Sequence, residues 1–71
     1  MDIKIGYYVN KLSQTNGDHE VHDEFCIYLP SVLNRKHLGE FYSCKDAVLE
    51  AKKTYDTADG CKFCSPNCHK R

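Results

Sequence analysis

The sequence predicts a small α+β domain in which a β-hairpin and a third short strand pack on one α-helix. Three observations predict it. The 71 residues suffice for one domain. The first half of the chain is rich in β-branched and aromatic residues and contains an Asn-Gly pair, whereas a stripe of apolar residues at helical spacing follows in the second half.

The first strand is predicted at residues 3–9, where IKIGYYV alternates imperfectly between apolar and polar positions. Asn16-Gly17 is the strongest turn signal in the chain, because both residues tolerate the backbone of a tight hairpin turn. We therefore expect a return strand near residues 18–23.

The third strand is predicted at residues 36–43, with Leu38 and either Phe41 or Tyr42 buried. Before it, Pro30 prevents a long helix. We expect a loop or one helical turn there, with its large apolar side chains facing inward: Phe25, Ile27 and Leu29 or Leu33.

The helix is predicted to begin after Ser43, which can cap it, with Asp46 three residues on as in a capping box. It should fade near residues 54–57, and Ala58-Asp59-Gly60 should form a turn. The apolar stripe then follows one helical face: Cys44, Ala47, Val48, Ala51 and Tyr55. On this pattern Cys44 is a core residue.

Composition limits the classes of function. Ten basic and ten acidic residues cancel, so no general attraction to nucleic acid or to an anionic membrane is expected. The N-terminus does not have the pattern of a secretory signal, and no apolar stretch could cross a bilayer. We therefore expect a cytoplasmic monomer whose partner, protein or nucleic acid, the sequence does not identify.

Five cysteines and four histidines are the unusual content of this chain. In a reducing compartment, clustered Cys and His more often bind metal than form disulfides. Cys61 and Cys64 have the two-residue gap of a C-terminal zinc knuckle, and His22 and Cys26 lie near the end of the predicted hairpin. One imidazole and three thiolates form a closed tetrahedral zinc set, whose net negative charge either a nearby lysine such as Lys62 or backbone N–H groups donated to sulfur can offset. Residues 1–71 are thus interpreted as a single zinc-binding domain.

Other interpretations remain open. Cys68 is an alternative ligand in place of His22, or a free thiol, and His69 is expected to be solvated. The thiols could also be unrelated, with no metal, and iron is the rival to zinc. No catalytic triad, phosphate-binding loop or carboxylate pair is evident.

The favoured function is a structural zinc module that binds a partner through basic residues. The alternative is zinc-thiolate or free-thiol chemistry, either as an alkyl acceptor or as a redox sensor. The candidate contact residues are Arg35, Lys36, Lys52 and Lys53.

The order of these elements resembles the Ada-type metal-binding domain, a small zinc module of bacterial DNA alkylation repair proteins. The matching text is YYVN, HDEFC, LGEFYSCKDAVLEAKKTY and GCKFC, over roughly residues 7–64. The resemblance implies that zinc is bound in a small α+β fold by His22, Cys26, Cys61 and Cys64. In the repair proteins a cysteine thiolate at the first ligand position accepts a methyl group from DNA. This chain has His22 there, and a zinc-bound imidazole has no thiolate to alkylate.

Overall fold

The computed structural model describes residues 3–70 and shows a four-stranded mixed sheet packed against one helix, which confirms the α+β class. The strands are β1 (Ile5–Asn10), β2 (His19–Asp23), β3 (Arg35–Phe41) and β4 (Ala58–Gly60), and the helix is α1 (Cys44–Ala51). Short 3-10 helices span Val32–Asn34 and Pro66–Cys68. The strand order is β3-β1-β2-β4. Within residues 3–70, no helix has the length and apolarity needed to cross a bilayer.

The predicted hairpin is confirmed. β1 and β2 are antiparallel, with Tyr8 opposite His22 and Val9 opposite Val21. Gly17 has a φ of 89°, a backbone conformation that glycine adopts without strain. The side-chain oxygen of Asn16 accepts the N–H of Asp18 at 2.9 Å, so the residues of the turn signal close the turn.

The third strand, β3, pairs antiparallel with the free side of β1. The pairing shifts between Tyr7 and Tyr8, and Gly39 opposite Tyr7 has a φ of 124°. This irregularity is a bulge for which glycine supplies the backbone freedom. As predicted, Leu38 and Phe41 pack against the core, whereas Tyr42 is exposed.

The apolar stripe on α1 is also confirmed. Ala47 and Ala51 are fully buried, and the other three stripe residues are partly buried against the core. Ser43 has the extended backbone of a cap, but its side chain makes no capping hydrogen bond. The core is small, because much of it consists of alanine and valine: Tyr7, Val9, Val21, Ala47, Ala51 and Ala58. A core of this size contributes little stabilisation.

The prediction of a turn at residues 58–60 is wrong. These residues form β4, which pairs in parallel with β2 and places Gly60 beside Val21. All three residues of β4 are buried: Ala58 belongs to the core, Asp59 accepts the N–H of Lys70, and Cys68 lies against Gly60. A Cβ on Gly60 would lie 2.6 Å from the Cβ of Cys68, so only glycine fits without a shift.

The prediction of inward-facing apolar side chains between β2 and β3 is wrong for Phe25, Ile27 and Leu33, whereas Leu29, the stated alternative to Leu33, is half-buried. Phe25, Ile27 and Leu33 are 73%, 86% and 85% exposed. α1 already covers the side of the sheet that carries Val9 and Val21, and within residues 3–70 no second layer lies over the loop. The loop therefore carries an apolar outer surface.

We expect the substitution Gly60→Ala to destabilise the protein by about 1–3 kcal/mol, because the added methyl group meets the backbone carbon and oxygen of Cys68 at 2.8 and 2.9 Å. Urea unfolding followed by tyrosine fluorescence measures the effect. Gly6→Ala is the matched control, since the nearest atoms to its Cβ belong to side chains and not to the backbone: Oε1 of Glu24 at 3.1 Å and Nε2 of His37 at 3.7 Å. Equal stability of the two variants would contradict this account of the close approach.

Candidate metal centre

The four residues singled out in the sequence come together beyond the end of β2. One ligand atom from each lies within 4.8 Å of every other: His22, Cys26, Cys61 and Cys64. The sulfurs of Cys26 and Cys61 are 3.9 Å apart. In a tetrahedral site with Zn–S bonds of about 2.3 Å, sulfurs lie roughly 3.8 Å apart. The cluster is therefore close enough to hold one metal ion.

His22 is the most informative member of this cluster. Its side chain is 1% exposed, and neither ring nitrogen has a hydrogen-bond partner. The nearest carboxylate oxygen, from Glu20, is 3.6 Å from Nε2, which is too far for a hydrogen bond. Burial lowers the pKa of His22, against the opposing charges of Glu20 and Asp23, so the ring is held neutral. A buried neutral imidazole with both nitrogens unbonded is costly unless a ligand satisfies one of them.

The turn that follows β2 positions Cys26. The Asp23 carboxylate accepts the N–H of Phe25 at 2.9 Å, and the Asp23 carbonyl accepts the N–H of Cys26 at 3.2 Å. The chain reverses here, and the Cys26 sulfur accepts the N–H of Tyr28 at 3.4 Å. An aspartate at the start of the turn thus directs the thiol back toward His22.

The knuckle supplies the other two sulfurs. The N–H of Cys61 donates to the carbonyl of Val21 at 2.9 Å, which continues the β2–β4 pairing and sets Cys61 next to His22. The Cys61 sulfur accepts the N–H of Phe63, and the Cys64 sulfur accepts the N–H of Asp23, both at 3.4 Å. Each of the three sulfurs therefore accepts one backbone N–H, which is one of the two sources of charge compensation predicted from the sequence for a site of three thiolates.

Burial keeps two thiols of the cluster protonated when no metal is bound. Burial raises the pKa of Cys64 to about 12, and burial also raises the pKa of Cys26. These thiols are therefore protonated at neutral pH in the metal-free protein. A divalent cation would displace those protons, because its charge stabilises the thiolates.

Cys68 is not part of the cluster. Its sulfur is bonded to that of Cys44, 24 residues earlier in the sequence. This corrects two expectations: Cys68 is neither a replacement ligand nor a free thiol, and Cys44 is more than a core residue. His69 is half-buried rather than solvated, with Nδ1 3.1 Å from the carbonyl oxygen of Gly60. One signal for the disulfide was present, since removing three ligand cysteines from five leaves an even pair.

The four basic candidate contact residues do not share one face. Arg35 lies over the ring of Tyr8, with its guanidinium carbon 4.6 Å from the ring centroid. Lys36, the next residue of β3, donates from Nζ to the hydroxyl of Thr54 just beyond α1. Successive strand residues point to opposite sides of a sheet, so these two cations are on different faces. Lys53 is paired with Glu50 at 3.1 Å.

No family model, curated protein or solved structure matches this chain. The geometry of the cluster therefore carries the functional argument, and the Ada-type resemblance stays a prediction.

We expect the affinity for Zn²⁺ or Co²⁺ to rise with pH between about pH 6 and pH 8, by up to about tenfold per pH unit for each thiol that must lose its proton. His22 adds little to this dependence, because burial lowers its pKa and keeps the ring neutral. Competition with a chromophoric chelator measures the affinity. An affinity that does not change with pH would show that thiolates do not bind the ion.

Proposed function

We propose that this protein is a zinc-binding module in which the metal joins the end of the hairpin to the knuckle and holds an interaction surface in place. The observation that carries the proposal is the buried imidazole of His22, which has no hydrogen-bond partner and lies among three sulfurs. Zinc suits this set, since it takes one imidazole and three thiolates in a closed tetrahedral site, with iron as the rival.

The metal has a structural role in this proposal. Four protein ligands would complete a tetrahedral shell, so no position remains for a substrate. The N–H group donated to each sulfur also stabilises thiolate charge, which makes the sulfur a weaker nucleophile. These features favour structural binding over alkyl transfer. The order of ligands around β3 and α1 supports the proposed relation to the Ada-type domain.

A bound metal would stabilise the fold of this small domain. The core rests largely on alanine and valine, and the chain has only 71 residues. Zinc binding to small domains supplies on the order of 10 kcal/mol of folding free energy. The ligands come from two segments more than 30 residues apart, so the ion would tie the loop after β2 to the segment after β4.

The surface that the cluster would hold is apolar. We name the exposed side chains around it the loop patch: Phe25, Ile27, Tyr28 and Phe63. The rings of Tyr28 and Phe63 are in contact, with centroids 4.6 Å apart, so the loop and the knuckle share one surface. Residues 25–34 contain no charged side chain. An uncharged apolar patch suits a protein partner better than a polyanion.

The proposed location is the cytoplasm, because the three cluster thiols must stay reduced to bind a metal. A disulfide beside such a cluster in that compartment would be a redox-responsive bond rather than a permanent one.

We expect one zinc ion per chain, and we expect a chelator to collapse the dispersed amide proton spectrum of the protein, since the metal supplies much of its stability. Native mass spectrometry and NMR measure the two effects. His22→Ala should weaken zinc binding by at least about a hundredfold, because it removes a ligand. His37→Ala is the matched control, since its ring contacts Tyr8 rather than the cluster.

Two outcomes would contradict this proposal. The first is a dispersed spectrum and an unchanged melting temperature after metal removal. The second is equal zinc affinity of the His22→Ala and His37→Ala variants.

Because the loop patch is apolar, we expect a Kd for single-stranded DNA or RNA no lower than about 10⁻⁴ M at physiological salt. This value is the weak end of the usual range for non-specific binding. Fluorescence anisotropy with labelled mixed-sequence oligonucleotides measures this. Tighter binding that weakens with salt and with the double substitution of Arg35→Gln and Lys36→Gln would support a nucleic-acid partner instead.

A further inference from the structure

The Cys44–Cys68 disulfide occupies an accessible position. Cys44 is the first residue of α1, and Cys68 is the last residue of the second 3-10 helix. Both residues are only partly buried. The bond ties α1 to the C-terminal segment, and it lies outside the His22 cluster. A reagent in solution can therefore approach the disulfide without disturbing the proposed metal ligands.

An open cleft of about 600 Å³ lies against this disulfide, and both cysteines contribute to its wall. Val48 and Leu49 supply an apolar part of the lining. A cleft of this size accepts a small organic molecule, and its position puts such a molecule next to the sulfurs.

The charge of the cleft is positive. Three exposed lysines line it, Lys45, Lys52 and Lys70, against the one carboxylate of Asp59. That carboxylate is buried and accepts the backbone N–H of Lys70 at 2.9 and 3.1 Å, and it lies 3.2 Å from Nδ1 of His69. The lysine ammonium groups extend into solvent, so an entering ligand meets net positive charge.

We propose that the Cys44–Cys68 disulfide is a thiol-exchange site whose substrate is a small thiol that carries carboxylate groups. The substrate's thiolate attacks one protein sulfur, the S–S bond breaks, and the other sulfur leaves as a thiolate that takes up a proton. A second substrate thiolate attacks the mixed disulfide. Two substrate thiols are oxidised to one disulfide, and the protein disulfide is reduced to two thiols.

The fold indicates which sulfur is attacked. Cys44 lies at the N-terminus of α1, where free backbone N–H groups and the helix dipole stabilise a thiolate. Cys68 has no such helix behind it, since it ends a single 3-10 turn. A more stable thiolate is the better leaving group. Attack therefore falls on Cys68, Cys44 leaves, and the lysines attract the carboxylates of the incoming thiol.

The experiment uses the full chain with zinc present. The disulfide is reduced with mercaptosuccinate, 2-mercaptoethanol or cysteamine, which are anionic, neutral and cationic. Each rate is followed by acid quench, alkylation and mass mapping of Cys44 and Cys68. The reduction rate of the folded protein by each thiol is then divided by the reduction rate of the urea-unfolded protein by the same thiol. This ratio removes the differences in intrinsic reactivity between the three reagents.

At an ionic strength of about 0.01 M, we expect the normalised reduction rate with mercaptosuccinate to be roughly tenfold higher than with cysteamine. Near 1 M salt, screening should remove this difference. The triple variant of Lys45→Gln, Lys52→Gln and Lys70→Gln should lose the preference. Lys11→Gln is the control, because Lys11 is exposed and does not line the cleft. The mixed disulfide should be found on Cys68.

Several results would overturn the proposal. These are an equal preference in wild type and the triple variant, reduction only after global unfolding, or free thiols at Cys44 and Cys68 in the purified protein. The cluster is tested separately by zinc stoichiometry, so a chain that binds zinc but fails here refutes only the exchange site.

Discussion

The parallel pairing of β4 with β2 is the constraint on which the rest of the molecule depends. The hydrogen bond from the N–H of Cys61 to the carbonyl of Val21 extends that pairing by one residue and brings the knuckle level with His22. Two segments that are far apart in sequence thereby share one site. The C-terminal segment lies directly on Gly60, so β4 can occupy this position only because that residue has no side chain.

Burial favours the uncharged forms of the cluster residues, whereas the backbone N–H groups favour the thiolate forms of the cysteines. A bound cation would shift this balance toward the thiolates. Burial holds the imidazole of His22 neutral and keeps the thiols of Cys26 and Cys64 protonated. The backbone N–H groups directed at the sulfurs are already placed to stabilise thiolates. In the metal-free cluster the ring nitrogens of His22 have no hydrogen-bond partner, and a divalent ion would satisfy one of them while it stabilises the thiolates.

Features encoded by local patterns could be predicted from the sequence. The hairpin follows from Asn16-Gly17, the helix from one apolar stripe, and the ligand quartet from short spacings. β4 could not be predicted, because alanine, aspartate and glycine are all poor strand formers and tertiary contacts alone make this segment a strand. The exposed loop was mistaken for core because hydrophobicity alone does not show whether a covering layer exists. The disulfide could not be assigned, since connectivity is a property of the fold.

The topology also fixes an order of events during synthesis. His22 leaves the ribosome about 40 residues before the two thiols of the knuckle, Cys61 and Cys64. Until the segment from Ala58 to Cys61 has been translated, the nascent chain contains only two of the four cluster residues, and β2 lacks β4 at its outer edge. Binding of the proposed ion and closure of the sheet edge would therefore belong to the same late stage of synthesis, and a chain that stops before it would leave the edge of β2 open for pairing with another chain.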